Sequence, residues 1–190
     1  MRALAQTGPG PWSVATRIVV YGAIGAALYA VFDWMAFFIP IPGTELQIRP
    51  HYGLLMFFGF AFGPIVGFLT GFLGNTLGDQ LALESALGSW WWTVANGLAG
   101  FVAGLFALWM AGRMRSTGPK ALMAAMAGVV ATIVGFLFIF IELILQPDLG
   151  FQYILRVEYI PVVIANSIAA AFVTPILVLA WEPIADQLGR

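Results

Sequence analysis

Asn75 and Asp79 stand four residues apart in a long apolar run, so on a helix they share one face and present an amide beside a carboxylate. Trp90, Trp91, Trp92 and Asn96 follow, and further along come Glu142, Tyr159 and Asn166. Amides and carboxylates in apolar helices either knit helices together or grip a polar ligand, and indole rings stack on flat rings. None of these groups makes a nucleophile with a base beside it, so the chain reads as a non-enzyme. The chain has no Cys, and His51 is its one histidine, which removes thiol catalysis, disulfides and Cys/His metal sites; no metal ligand set is expected. No phosphate-binding glycine loop ending in Lys-Ser or Lys-Thr is present either. If the protein drives uphill transport, ATP hydrolysis belongs to partner subunits; no cofactor is expected.

The elements that position these groups are membrane helices. Of 190 residues, 61% are hydrophobic and only 9% charged, with a mean hydropathy of +0.94. A soluble domain carries roughly 25% charged residues. Eight Lys/Arg against nine Asp/Glu give a net charge of -1, which leaves no basic surface for a nucleic-acid backbone.

Apolar runs near the ~20 residues needed to cross a bilayer predict an all-α integral membrane protein of one domain over 1–190, with six transmembrane helices at about 17–38, 51–63, 64–82, 90–112, 121–145 and 159–181. The stretch 52–83 is too long for one span, at about 48 Å, and Gly63-Pro64 breaks it, leaving a short second helix. Prolines at 40, 42 and 50 make 39–50 a loop, and 146–158 reads as another. Six helices with both termini cytoplasmic put Arg2, Arg17, Arg113, Arg115, Lys120 and Arg190 inside, leaving only Arg49 and Arg156 outside. Five helices would move Arg113, Arg115 and Lys120 to the side of Arg49.

Counted at 1.5 Å per residue from the inner ends, Asn75 lies about 16 Å up, Asp79 about 22 Å and Asp33 about 24 Å, with Asn96 and Asn166 about 10 Å below the outer surface. The inner half offers Thr70, Thr132 and Thr174. A relay for ions needs ionisable groups at successive depths, whereas this distribution predicts a chamber open to the outside. Arg49 is expected to lock the outer loop to a nearby acid, Glu142 to pair with Arg156 or meet ligand, and His51 to cap a helix. Gly67, Gly71, Gly74 and Gly78, with Gly97, Gly100 and Gly104, read as packing seams, and Ala23, Ala27, Ala26 and Ala30 as small-residue ridges.

Taken in order, the proline-bearing outer loop, Arg49-Pro50, the run FGPIVGFLTGFLGNTLGD at 62–79, the Trp-rich entry into VANGLAG at 94–100 and IPVVIAN at 160–166 resemble the substrate-binding S components of energy-coupling-factor (ECF) vitamin transporters. The resemblance covers nearly the whole chain. It implies a multi-pass subunit of a prokaryotic inner membrane that captures a vitamin or vitamin precursor from outside. Its partners would be a membrane coupling (T) subunit and two cytoplasmic ATPases. The family's A-x-x-x-A docking motif would fall on Ala23 and Ala27, with Ala26 and Ala30 as a second register. By position, the ligand pocket would draw on Trp90, Trp91, Trp92, Asn96, Glu142, Tyr159 and Asn166, with Asn75 and Asp79 nearby and 39–50 as gate. Two other classes stay in view. A stand-alone carrier or channel needs a polar passage or inverted repeats, and a membrane enzyme needs a convergent acid/base pair.

Overall fold

The computed structural model describes residues 16–36, 47–82, 88–113 and 117–187. Most of the expected gate, and Arg2, Arg115 and Arg190 of the charge count, lie outside the described residues. The described chain is all-helical and without strands, with α1 Thr16–Ala36, α2 Tyr52–Phe62, α3 Pro64–Leu81, α4 Trp90–Met110 and α5 Thr117–Phe136. Then follow a 3-10 turn Leu137–Ile141, the single turns α6 Glu142–Leu145 and α7 Gly150–Tyr153, a π-helical stretch Ile154–Tyr159 and α8 Ile160–Gln187.

Four helical stretches are long and apolar enough to cross a membrane: Thr16–Met35, Trp90–Met110, Gly118–Leu145 and Gly150–Gln187. The chain is a multi-pass membrane protein. The bilayer-facing surface is correspondingly oily, with Phe172, Ile144, Trp109 and Ile176 among its most exposed side chains. The second helix is short, as expected, and at eleven residues it spans only about 16 Å. It is apolar all round, and eight of its eleven residues are buried, which makes it the central element rather than a wall. Around it the others form an arc in which α1 packs on α3, α3 on α4, α4 on α5 and α5 on α8, while α2 touches all five.

Gly63 separates α2 from α3 with φ 102°, a left-handed value open to glycine, and Pro64 then starts α3, where its missing N–H costs nothing. The expected loop at 146–158 is a correction: only 146–149 is a turn, and the chain is helical from Gly150 onward. Pro161 explains the π-helical stretch, since it cannot donate back to Val157 and the ladder must widen on entering α8.

The glycines of α3 set how near its neighbours come. A Cβ on Gly78 would lie 2.5 Å from Asp33 Oδ2, and one on Gly74 would lie 2.8 Å from the Tyr29 ring, so these positions open the space that Tyr29 and Asp33 of α1 fill. Two turns nearer the start of α3 on the same stripe, Gly67 meets Gly100 and brings the backbones of α3 and α4 together.

Candidate functional site

The chain alternates direction from helix to helix, so the C-terminal ends of α1, α3 and α5 meet the N-terminal ends of α2, α4 and α8. The buried ionisable groups Asp33, His51, Asp79 and Glu142, with the amides Asn75, Asn96 and Asn166, gather at that one end. Toward the other end lie an aromatic and aliphatic core with Phe57, Phe58, Phe60 and Phe106, and the partly buried ion pair Lys120–Glu182 at 3.0 Å. Between the two ends, two of the three buried threonines bond to backbone, Thr132 donating to Gly128 O and Thr174 to Gly53 O, while the Thr70 hydroxyl is buried without a hydrogen-bond partner.

The polar end holds two constellations of different character. In the first, Arg49 bridges three partners. Its Nε lies 3.3 Å from Asp33 Oδ1, Nη1 donates to Asn75 Oδ1 at 2.8 Å and Nη2 donates to Gln47 Oε1 at 3.3 Å. Asn75 is saturated. Its oxygen accepts Arg49 and Asn96, and its Nδ2 donates to Asp79 at 2.9 Å and Thr93 at 3.1 Å. Asn96 donates also to Trp92 O and accepts the Tyr29 hydroxyl at 3.2 Å. His51 Nε2 lies 3.2 Å from Asp33 Oδ1, and its ring meets Tyr29 edge-on at 4.8 Å.

Burial is the largest single influence on the Arg49 guanidinium and pulls it down, but Asp33, Tyr29 and Asp79 together outweigh it and the net shift is upward, so the cation is permanent. Burial moves His51 the other way, below the ordinary imidazole range, despite Asp33. The sequence therefore anticipated the Arg49 lock and the Asn75/Asp79 pair. It missed Tyr29, Thr93 and the role of His51, which makes no side-chain cap and is buried against Asp33. A lone histidine beside a buried-length acid and an arginine was the available signal.

The second constellation is an acid pair. Glu142 is 2% exposed, and one of its oxygens, Oε1, accepts both the Trp91 indole N–H and the Trp92 indole N–H, the latter at 2.9 Å. The other oxygen, Oε2, meets no N–H or hydroxyl donor, nor does Glu158 Oε2, and the two carboxyls stand within hydrogen-bonding reach of each other. The pairing of Glu142 with Arg156 is thus replaced by the indoles, and Arg156 is exposed. Two aromatic contacts border this acid pair. Phe140 lies 5.3 Å from Tyr159, and Trp92 lies 5.8 Å from Phe136. Tyr159 also donates to Ile133 O at 2.8 Å.

Of the expected site residues, Asn75, Asp79 and Asn96 join the saturated network, Trp91, Trp92 and Glu142 form the second group with Tyr159 beside it, Trp90 stands 39% exposed and Asn166 is buried on α8. An apolar groove of about 400 Å³, lined by Ile48, Pro161, Ile164, Ala165 and Ile168, opens on the flank of α8 and holds none of the polar residues. On α1, Ala26 and Ala30 are buried at 2% and 3%, while Ala23 and Ala27 are exposed.

Residues 13–182 match the family described as "ECF-type riboflavin transporter, S component". Among curated proteins, an "UPF0397 protein" of Streptococcus gordonii is 44% identical over 91 residues, which cover 46% of this chain and 45% of that protein. An "UPF0397 protein" of Streptococcus pneumoniae strain Hungary19A-6 is 40% identical over 89 residues, covering 46% of each. The matched stretch thus spans a little under half the length of these relatives. No solved structure matches.

Proposed function

Since the chain belongs to the family of S components of ECF-type riboflavin transporters, and so is the membrane-embedded substrate-binding subunit of such a transporter, we propose that it captures a vitamin or vitamin precursor at its polar end and hands it inward. The polar end faces the outside of a prokaryotic inner membrane. Six helices traverse or enter the bilayer, α2 only partway, and both termini are cytoplasmic. A coupling subunit and two cytoplasmic ATPases supply the energy that this chain has no motif to harvest.

The observation that carries the reading is the lopsided burial of polar groups. A carrier or channel acting alone needs ionisable groups at successive depths, whereas here they collect at one end and include a buried pair of carboxyls. The Arg49 network, being saturated, serves as the lock that holds the linker before α2 to α1, α3 and α4. The ligand contacts then fall to Trp91, Trp92, Glu142, Tyr159 and Asn166, with Trp90 at the rim. Asn75, Asn96 and Asp79 act one layer back, through the lock.

Exposed Ala23 and Ala27 form the docking face for the coupling subunit. Ala26 and Ala30 belong to the internal α1 packing instead.

The test is purification of the full chain in detergent, identification of any co-eluting metabolite by mass spectrometry, and uptake assays in vesicles with and without the coupling subunit and ATPases. Ligand-dependent uptake that requires ATP and all partners is expected. Uptake by this chain alone would overturn the reading.

A further inference from the structure

At the polar end, α5 and α8 both leave regular α-helical winding, and they do so in opposite senses. Leu137–Ile141 winds tightly as a 3-10 turn and Ile154–Tyr159 widely as a π-helical stretch; the two touch each other, and the 3-10 turn also packs on α4. Such windings recur where a fold bends or yields, because their backbone hydrogen bonds are poorer than those of an α-helix. Few contacts hold this hairpin shut. Phe140 stacks on Phe151 and leans on Tyr159, the Tyr159 hydroxyl donates to Ile133 O, and the Glu142 and Glu158 carboxyls meet.

Two carboxyls with no N–H or hydroxyl donor between them bond only when one carries a proton that the other accepts. The indoles of α4 decide which one. Trp91 and Trp92 both donate to Glu142 Oε1, an arrangement that suits a carboxylate, so the proton falls on Glu158 and the bond runs from Glu158 to Glu142. Glu142 is the charged group that acts on Glu158. Around the pair, α4 presents neutral indoles, the 3-10 turn carries no titratable side chain, and the Tyr159 hydroxyl is engaged on Ile133. Asp148, Tyr153 and Arg156 of the adjoining turns are exposed. Glu158 itself is half-buried, which leaves its proton within reach of hydroxide in the solvent.

We propose that the Glu142–Glu158 pair is a proton-held clasp on the polar-end hairpin between α5 and α8. With one proton shared, the clasp ties Glu158 through Glu142 to Trp91 and Trp92 of α4. When hydroxide takes that proton as water, two carboxylates are left side by side, and their repulsion swings the hairpin away about the 3-10 and π-helical turns. Resting on the capture reading above, in which Trp91, Trp92 and Tyr159 touch the ligand, the clasp regulates access to the site.

The chain has no Cys, so two introduced cysteines can carry spin labels without competition. Gln80→Cys at the end of α3 and Gln152→Cys on α7 are both exposed and straddle the clasp. The label distance is read by electron–electron resonance on the ligand-free, detergent-solubilised full chain at about pH 6 and about pH 10, a span over which buried carboxyls lose their protons. It should lengthen at the higher pH by about 2 Å or more, the scale of a loop rearrangement, and shorten again on return. Adding Glu158→Gln, whose amide still donates to Glu142 but cannot ionise, should hold the short distance at both values. The parent measurement stands alone if that variant fails to fold. A distance indifferent to pH, a change that does not reverse, or the same lengthening in Glu158→Gln overturns the clasp.

No ligand or partner enters this measurement, so it separates from capture. Fixed distances beside ATP-dependent uptake of riboflavin in vesicles overturn the clasp and leave capture standing. The expected distances beside no ATP-dependent uptake of any vitamin leave the clasp standing and sink capture.

Discussion

Arg49 donates to Asn75 across 2.8 Å, joining the linker before α2 to the middle of a network that reaches α1, α3 and α4. The bond matters because Asn75 has no spare capacity and Asp33, 5% exposed in its side chain, has Arg49 as its permanent cationic partner.

Arg49→Met should therefore strand the Asp33 carboxylate and free one Asn75 acceptor site. Breaking a buried pair costs about 3 kcal/mol when one charge is left behind. The melting temperature of the detergent-solubilised protein should fall accordingly. The double variant Asp33→Asn/Arg49→Met should regain a good part of the loss, since it removes the orphaned charge too. A single variant as stable as the parent would show that the linker is not locked through this pair.

How much of this was legible beforehand depends on the range of the interaction. Asn75 and Asp79 are one helical turn apart, so their shared face followed from spacing alone, and Gly63-Pro64 marked the break between α2 and α3 because its conformational effect is local. Tyr29 and Thr93 were not legible, since their roles depend on which helices adjoin: Tyr29 meets Asn96 across 67 positions of sequence. Glu142 was recognised as a candidate, but its partner was sought in the nearby Arg156. The indoles of α4, some 50 positions away, reach it because α4 and α5 pack side by side. The segment 146–158 looked like a loop from its polar residues and proline, yet from Gly150 it continues into α8 with a widened turn.

Close helix contact makes a second prediction. A Cβ on Gly67 would collide with the carbonyl oxygen of Gly100, and one on Gly100 with that of Gly67, so α3 and α4 meet backbone to backbone with no flexible side chain to yield. Gly67→Ala and Gly100→Ala should each destabilise by about 1–3 kcal/mol, the usual range for overpacking. Gly112→Ala is the control, having nothing within 4 Å of its Cβ position, and should change stability by no more than about 0.5 kcal/mol. Thermal melts of the three variants check the contrast. Tolerance at Gly67 equal to that at Gly112 would mean the two helices are free to separate.

The alanines of α1 divide by face, and the division can be read out functionally. Ala23 and Ala27 are exposed, so leucines there add bulk to the outer surface without entering the fold. Uptake in vesicles containing the coupling module should fall about tenfold or more while ligand affinity and melting temperature stay at parental values. Ala26 and Ala30 are buried, and leucines there should cost about 1–3 kcal/mol of stability before any question of docking arises. Normal uptake with leucine at both Ala23 and Ala27 would remove α1 from the docking face.

His51 adds a pH dependence whose sign follows from its burial. Its value in the folded protein lies below the ordinary 6.5, first because it is desolvated and also because Arg49 is close, with Asp33 opposing. Above 6.5 the imidazole is neutral in both folded and unfolded chains and costs nothing. As pH falls below that value the unfolded chain takes up a proton that the folded one still refuses, so stability declines through the window between the two values and levels off once both are protonated. The melting temperature should therefore drop on mild acidification in the parent protein. In His51→Gln, which keeps a donor for Asp33 but cannot titrate, the same interval should be nearly flat. A parental profile that rises as pH falls through 6.5 would mean that Asp33 dominates and that the imidazole is held protonated in the fold.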